Sequence, residues 1–198
     1  MDLKGDRMKQ ILIPALRLLL MMTLLTGVIY PAAVTWAAHL LCPETAQGSL
    51  VYRDNRVVGS ALLAQKFESP GYFRSRPSAA EWSTLPSGAS NLGPASGKLQ
   101  EQIKERADVW RDLLALPAKT PVPSDLLAAS ASGLDPHITL EAARFQVARV
   151  AQARRLPFAA VEDILQKHLE NARPGSPGVP YVNVLLVNME LDRIHSAP

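Results

Sequence analysis

The sequence predicts an α+β protein: a single N-terminal transmembrane helix followed by one external domain with a small sheet and about three helices. Residues 18–41 form a 24-residue stretch without Asp, Glu, Lys or Arg. The rest of the chain combines short β-branched segments with segments whose apolar residues recur at helical spacing. A length of 198 residues suits one domain plus an appendage, and it excludes a large multidomain enzyme.

The charge-free stretch is long enough to cross a membrane. As a helix it would reach about 36 Å, and a bilayer core is about 30 Å thick. A cleaved signal peptide has a shorter apolar core, a lipoprotein signal would have a small residue where Leu41 precedes Cys42, and a buried helix would show a polar face. We therefore expect an uncleaved transmembrane helix over residues 11–41 with lipid as its partner, bent or weakened at Pro31.

The charges beside this stretch predict its orientation. Four Lys or Arg residues precede it, and the first one after it is Arg53. The positive-inside rule then places residues 1–10 in the cytoplasm and residues 42–198 on the extracytoplasmic (periplasmic) side of an inner membrane.

The overall charge argues against nucleic acid as a partner. Lys and Arg number 21 against 18 Asp and Glu, a formal net charge of +3. Residues 1–42 hold four cations and two carboxylates, or +2, so +1 remains for residues 43–198. Such a domain has no broad basic face for a phosphate backbone. Cys42 is the single cysteine, which excludes an internal disulfide and a cysteine-based metal cluster.

The external domain begins with a predicted hairpin over residues 49–63. Its turn is Asp54-Asn55, two residues that tolerate the positive φ of a tight turn. Residues 66–97 are rich in Pro, Gly and Ser, but they are too long and too aromatic for a passive linker. We expect an ordered, packed loop there.

Three helices and a final strand complete the predicted domain. The helices are expected at about 97–116 after the cap Ser96, from the cap Thr139 to Arg155, and from Pro157 through Leu169 to a stop at Pro174-Gly175. Residues 179–189 are almost continuously apolar and β-branched. They predict a strand covered on both faces and paired with the hairpin.

Two segments have a superficial likeness to catalytic or nucleotide-binding motifs. Residues 93–99 suggest a phosphate-binding loop, but only three residues separate Gly93 from Gly97 and Leu99 replaces the Mg²⁺-binding hydroxyl. Ser132 and His137 with an intervening aspartate suggest a hydrolase triad, but no Gly-x-Ser-x-Gly elbow is present. A turn that Gly133 permits explains the second segment better, although a membrane-tethered extracytoplasmic hydrolase remains the alternative function.

Other candidate sites are weaker. No two histidines have the spacing of a metal site, so no metal is expected; the histidines are His39, His137, His168 and His195. Arg74 and Arg76 flank a serine in the long loop. They could grip a carboxylate or phosphate, or pair with a nearby acidic side chain, and we favour the pairing.

Several stretches together resemble the C subunits of Kdp-type potassium-transporting ATPases. The Ser-Gly-Leu-Asp-Pro-His string of residues 132–137 is the most specific of them. The matching stretches are residues 14–17, 24–31, 71–79, 87–94, 130–138, 146–151 and 182–188. The departures are alanines where that family has glycine, and they leave local loop geometry open; they are Ala64, Ala89 and Ala131.

The resemblance implies a function that the spacing of residues does not reveal. It implies an accessory subunit, without a catalytic site of its own, of an inner-membrane complex that imports K⁺ at the expense of ATP. The expected partners are a channel-like A subunit and a P-type ATPase B subunit. The family's subunit is described as a catalytic chaperone that raises the ATP affinity of the B subunit.

The resemblance also implies candidate binding residues, and no tightly bound cofactor. If ATP contacts this subunit, the candidates from the family motifs are Ser130, Ser132, Gly133, Asp135, His137 and Gln146. The flanking charges, however, place these residues outside, whereas ATP is cytoplasmic. We therefore expect the domain to lie at the external mouth of the channel-like subunit. There it would support assembly or K⁺ uptake and affect the ATPase at a distance.

Overall fold

The computed structural model describes the backbone of residues 3–171 and 178–195. The chain divides into two units, residues 1–50 and residues 51–198. The second unit combines four longer helices with strands in two small sheets among the described residues, so the α+β prediction is confirmed.

The N-terminal unit contains a long helical stretch. Helix α1 spans Leu3–Leu24, a π-helical turn spans Leu25–Ile29, and α2 spans Tyr30–Leu41. The 34 residues Met8–Leu41 have a mean hydropathy of 2.1 in their most apolar window, and none of that window is buried. By length and composition this is the one described helix that could cross a membrane. A short helix α3, Pro43–Ala46, follows.

The π-helical turn is explained by Pro31. Proline has no N–H to donate one turn back, so the regular hydrogen-bond ladder is interrupted there. In the residue before Pro31, the Tyr30 N–H donates to the carbonyl of Leu25, five residues back, where a regular α-helix would use the carbonyl four residues back. A wider turn of this kind is a usual way for a helix to accommodate such an interruption. The perturbation beside Pro31 takes the form of this π-helical turn, and helix α2 continues beyond it to Leu41.

The predicted hairpin is confirmed. Strands β1, Leu50–Arg53, and β2, Arg56–Ser60, form a two-stranded sheet. Asp54 and Asn55 connect them with φ of 49° and 62°. Two successive positive φ values match the twist of paired strands, and Asp and Asn adopt them more readily than most residues.

A second sheet lies against the helices. Strands β3, His137–Thr139, β4, Leu169–Glu170, and β5, Tyr181–Asn183, are arranged in the order β3-β5-β4. Both pairings are antiparallel, with Ile138 opposite Val182 on one side and Leu169 opposite Val182 on the other. Strand β5 is thus the central strand and is hydrogen-bonded to β3 on one side and to β4 on the other.

The helices enclose one apolar core. They are α4, Gly97–Leu113, α5, Leu140–Arg154, α6, Phe158–Lys167, and α7, Val184–His195. The core includes Val147 and Val150 of α5, Leu165 of α6 and Leu191 of α7, each 0% exposed. Helix α5 begins where expected, because the Thr139 Oγ1 accepts a hydrogen bond from the Ala142 N–H at 3.3 Å.

The predicted strand over residues 179–189 is wrong beyond Asn183. The Asn183 Oδ1 accepts hydrogen bonds from the Leu185 and Leu186 N–H groups at 3.1 and 3.3 Å, which caps α7. A continuous apolar run suits a buried helix as well as a buried strand. The strand part also pairs with β3 and β4 rather than with the hairpin.

Two other boundaries differ from expectation. Helix α4 ends at Leu113. The third predicted helix ends at Lys167, and Leu169–Glu170 form β4 instead of a last turn. The predicted stop at Pro174-Gly175 lies outside the described residues.

The long loop is packed, as predicted. Residues 61–96 contain no helix or strand. Phe73 in this segment is only 1% exposed and belongs to the main core.

Candidate functional site

The Ser-Gly-Leu-Asp-Pro-His string forms a turn that leads into β3. Gly133 has φ of +71°, and its N–H donates to the Ser130 carbonyl at 3.3 Å. A Cβ built on Gly133 would lie 2.9 Å from the carbonyl oxygen of Gly88. Ser130 is buried, and its N–H donates to the Pro77 carbonyl at 3.2 Å. Glycine at 133 therefore permits both the turn and its close approach to the long loop.

Asp135 organises the end of this turn. Its Oδ1 accepts a hydrogen bond from the His137 N–H at 3.0 Å, and its Oδ2 lies 3.1 Å from the Arg76 Nη1. The His137 Nδ1 lies 3.6 Å from the Asp135 Oδ1, and the His137 ring meets the Tyr181 ring edge-to-face at 4.9 Å. The pairing expected for Arg76 is thus confirmed.

The surroundings of Asp135 favour its ionised form. Burial alone would raise the pKa of the carboxyl, but hydrogen bonds from the His137 side chain and backbone and the positive charge of Arg76 outweigh it. The pKa of Asp135 therefore lies below its ordinary value. Beside this ion pair is a shallow depression of about 390 Å³ that Asp125 and Tyr181 also line.

Gln146 belongs to a different site. It is 0% exposed in α5, and its side-chain amide contacts both backbone polar groups of Arg74. Its Oε1 accepts from the Arg74 N–H at 2.8 Å, while its Nε2 donates to the Arg74 carbonyl at 3.2 Å. An amide that pairs with a backbone N–H and C=O in this way makes the two hydrogen bonds that a neighbouring β-strand would otherwise make.

Asn188 of α7 holds the preceding residue of the loop in the same manner. Its Oδ1 accepts from the Phe73 N–H at 2.8 Å, and its Nδ2 donates to the Phe73 carbonyl at 2.9 Å. Two buried amides from two helices therefore fix consecutive residues of the long loop. We refer to Gln146 and Asn188 as the amide clamp.

Arginines extend the clamp along the loop. Arg149 donates to the carbonyls of Pro70 and Tyr72, at 2.8 Å each, and Arg154 donates to the carbonyl of Gly71. Burial, with a smaller contribution from the nearby charge of Arg74, lowers the pKa of Arg149 to about 10. The guanidinium of Arg149 therefore remains charged at neutral pH although its hydrogen bonds go to uncharged oxygens.

Asp192 of α7 contacts arginines from two other elements, β1 and α5. Its carboxylate lies 2.7 Å from both the Arg53 Nη1 and the Arg154 Nη2, and it accepts a hydrogen bond from the Tyr72 hydroxyl at 3.0 Å. Burial opposes ionisation of Asp192, but the hydrogen bonds from Arg154 and Tyr72 and the charges of the arginines outweigh it. The pKa of Asp192 is accordingly lowered.

Sequence reasoning missed most of this network. The missed residues are Tyr72, Arg149, Arg154, Asn188 and Asp192. A signal was present, because polar residues recur at i, i+3 or i, i+4 on otherwise buried helix faces, as in Gln146 with Arg149 and Asn188 with Asp192. A polar residue on the apolar stripe of a helix indicates a specific buried partner.

The triad-like residues do not act together in the structure. The Ser132 Oγ accepts a hydrogen bond from the Leu134 N–H at 3.1 Å, as in an ordinary turn, whereas His137 faces Asp135 and Tyr181. Ser132 and His137 thus have different partners, and neither is arranged as a nucleophile and its base.

The other candidates have structural roles where they are described. Ser96 occupies the cap position of α4, but its side chain makes no capping hydrogen bond. Arg74 donates to the Glu68 carbonyl at 3.1 Å, so the acidic pairing expected for it is not seen among the described residues. No group of three or more His, Cys, Asp or Glu residues in the described part could hold a metal ion. The His195 side chain lies outside that part.

These observations define a class of protein before they define a family. One apolar helix of membrane-spanning length is joined to a small α+β domain, which fits a single-pass membrane protein. The polar motif residues of the domain mainly fix its own loops.

Comparison with known proteins supplies the family. Residues 12–193 match the family model described as K⁺-transporting ATPase, c chain (KdpC). The potassium-transporting ATPase KdpC subunit of Pectobacterium atrosepticum is 45% identical over 187 residues, which cover 93% of this chain and 97% of that relative. The KdpC subunit of Polaromonas naphthalenivorans is 48% identical over 191 residues, or 94% of this chain and 96% of that relative. The chain therefore belongs to the KdpC family of potassium-transporting ATPase subunits.

Proposed function

We propose that this chain is a non-catalytic accessory subunit of an inner-membrane complex that imports K⁺ at the expense of ATP. Its partners in the proposal are a channel-like A subunit and a P-type ATPase B subunit. The observation that carries the proposal is the extent of the family match, which runs over residues 12–193 and so includes both the apolar helix and the domain.

The partners of the triad-like residues support the non-catalytic part of this proposal. The Ser132 Oγ accepts a hydrogen bond from the Leu134 N–H, whereas the His137 ring lies beside Asp135. Asp135 is held in its ionised form by Arg76 and His137. Such a carboxylate stabilises a turn, and it is a poor proton donor near neutral pH.

We further propose that the domain lies on the external side of the membrane, against the channel-like subunit. Four Lys or Arg residues precede the charge-free part of the helix, and this asymmetry favours a cytoplasmic N-terminus. In that position the subunit would stabilise the complex and raise the ATP affinity of the B subunit from a distance. Direct contact of Ser130–His137 with ATP would require the opposite orientation.

Purification of the complex with and without this chain tests the function. We expect its omission to reduce recovery of the assembled A and B subunits, or to raise the ATP concentration needed for half-maximal K⁺-stimulated hydrolysis. Addition of the purified full-length chain should reverse the loss. Unchanged assembly together with unchanged ATP dependence would contradict the proposal.

Labelling of intact cells with an impermeant thiol reagent tests the orientation. Cys42 is exposed and is the single cysteine of the chain. We expect labelling of Cys42 and of a Ser49→Cys variant, and protection of a Cys42→Ser, Lys9→Cys control until the cells are permeabilised. The reverse pattern would place the domain in the cytoplasm and revive direct contact with ATP.

A further inference from the structure

The domain contains a cleft that none of the roles above uses. It lies between the long loop and helix α4, and its volume is about 410 Å³, a size typical of small-molecule sites. The residues lining it are Lys66, Phe67, Glu68, Arg74, Ser75, Pro77, Trp82, Glu105, Arg106, Val109, Trp110 and Leu126. The walls thus combine aromatic rings with guanidinium groups.

The positive charges of the cleft are unequally compensated. At the exposed rim the Lys66 Nζ lies 2.7 Å from a Glu68 carboxylate oxygen, and these two charges offset each other. Among the described residues Arg74 and Arg106 have no carboxylate within ion-pair distance, and their hydrogen bonds go to the carbonyls of Glu68 and Leu127. These two half-buried guanidinium groups therefore have no carboxylate in direct contact, although Glu68 and Glu105 also line the cleft and interact with Arg74 and Arg106 at longer range.

A third arginine adds to this excess of charge. The guanidinium carbons of Arg74 and Arg149 lie 5.7 and 5.8 Å from the centre of the Trp110 ring, and like-charge repulsion from Arg74 helps to lower the pKa of Arg149. Burial also lowers the pKa of Arg106, against a smaller opposing effect of the nearby Glu105 carboxylate. An anion placed in the cleft would relieve this repulsion and compensate the buried charge.

Unpaired donors point in the same direction. The Arg74 Nε and the Trp82 Nε1 are buried and have no hydrogen-bond acceptor among the described residues. Both residues line the cleft. Because buried donors are rarely left unpaired, these two N–H groups are candidate donors to an acceptor atom of a molecule in the cleft.

We propose that this cleft binds an organic anion, with its carboxylate or phosphate between Arg74 and Arg106 and its apolar body against Val109 and Trp110. The source is either a free small anion or an acidic side chain of a partner subunit, because the two offer the same chemistry. The inference concerns this domain alone and does not depend on the orientation proposed above.

Binding of aromatic anions to the purified full-length chain in detergent tests the proposal. Benzoate and phenyl phosphate are the probes, and neutral benzamide at matched ionic strength is the control. We expect saturable binding of the anions by equilibrium dialysis and a rise in the unfolding midpoint, with neither effect from benzamide. Equal effects of benzamide, or no saturable binding, would overturn the proposal.

Variants locate the binding in the cleft. Arg74→Gln should weaken anion binding about tenfold, as expected for the loss of a charge-assisted hydrogen bond. Lys104→Gln removes an exposed cation of helix α4 that does not line the cleft, and it should change binding by less than about twofold. Val109→Glu places a carboxylate at an exposed position of the cleft, so it should abolish binding without unfolding the domain. Anion binding that survives Val109→Glu would place the site elsewhere and overturn the proposal.

The assembled complex distinguishes the two sources. If the complex binds benzoate as the free chain does, the natural occupant is a free small anion. If the free chain binds benzoate and the complex does not, an acidic side chain of a partner subunit fills the cleft. Either result supports an anion site at Arg74. If the accessory role proposed above were wrong, the dialysis result on the free chain would still test this site.

Discussion

At the scale of single residues, the motif side chains of this chain mainly satisfy its own backbone. Gln146 and Asn188 each pair with both polar groups of one loop residue, and Arg149 takes two further carbonyls. A loop with few strand partners would otherwise leave buried N–H and C=O groups unpaired. The polar residues Gln146 and Asn188 therefore have hydrogen-bond partners in the backbone of their own domain.

Gln146→Leu tests this structural role. The substitution leaves the Arg74 N–H and carbonyl without their partner in a buried place, so we expect a loss of about 1–3 kcal/mol in the free energy of unfolding. Chemical unfolding of the full-length chain in detergent measures it. Gln152→Leu, at an exposed position of the same helix, should change stability by less than about 0.5 kcal/mol. If the two variants are equally stable, and Gln146→Leu changes the ATP concentration needed for half-maximal hydrolysis by the complex, Gln146 contacts a ligand instead.

The carboxylates of Asp135 and Asp192 make stability depend on pH. Their pKa values are lowered in the folded state, so they contribute stability that is present above the unfolded-state pKa and lost as the pH falls through the folded pKa. We expect the temperature midpoint of unfolding to decrease when the pH is lowered below about 4, where carboxyl groups of the unfolded chain take up protons.

A variant pair isolates the contribution of one carboxylate. Asp192→Asn should reduce the difference in unfolding midpoint between pH 5 and pH 3. Asp163→Asn removes an exposed carboxylate and should keep the difference of the unmodified chain. An identical pH profile for all three chains would show that Asp192 is not a source of the acid sensitivity.

At the scale of elements, the turn before β3 and the long loop depend on each other. Gly133 approaches the loop at Gly88 so closely that a Cβ would overlap the carbonyl oxygen. The Ser130 N–H and the ion pair of Asp135 with Arg76 join the same two segments. The Ser-Gly-Leu-Asp-Pro-His string is therefore a joint between segments.

Gly133→Ala tests this joint. A left-handed φ costs a residue with a Cβ about 1–2 kcal/mol, and the close contact with Gly88 adds to that penalty. We expect a lower unfolding midpoint and faster proteolysis in the long loop. Gly93→Ala provides the matched control, because a Cβ there meets nothing within 4 Å. Equal rates of proteolysis of the long loop in both variants would contradict this role of Gly133.

At the scale of the whole molecule, the family match covers residues 12–193 and so includes both the apolar helix and the domain. The function proposed above assigns no chemical step to Ser132. Ser132→Ala should therefore leave K⁺-stimulated ATP hydrolysis of the assembled complex within about twofold of normal, because Ser132 is exposed and its described hydrogen bond is local. Loss of most of the activity, with assembly intact, would favour a direct chemical role for Ser132.

The sequence predicted local features well because their causes are local. The Asp54-Asn55 turn and the Thr139 cap each follow from the preferences of one or two residues, and the apolar helix follows from composition. Prediction failed at residues 179–189, where strand and helix both suit a buried apolar run. Pairing of β5 with β3 and β4 and capping by Asn183 decided the outcome.

By itself, then, the sequence determined the apolar helix, the hairpin, three of the helices and the family, since these follow from composition, periodicity and motif strings. Only the tertiary structure decided where the motif residues act. Gln146 and Asn188 are separated from the loop residues they hold by 72 and 115 positions in the chain. Contacts over such separations are set by how the helices pack around a shared core, and no local preference encodes them.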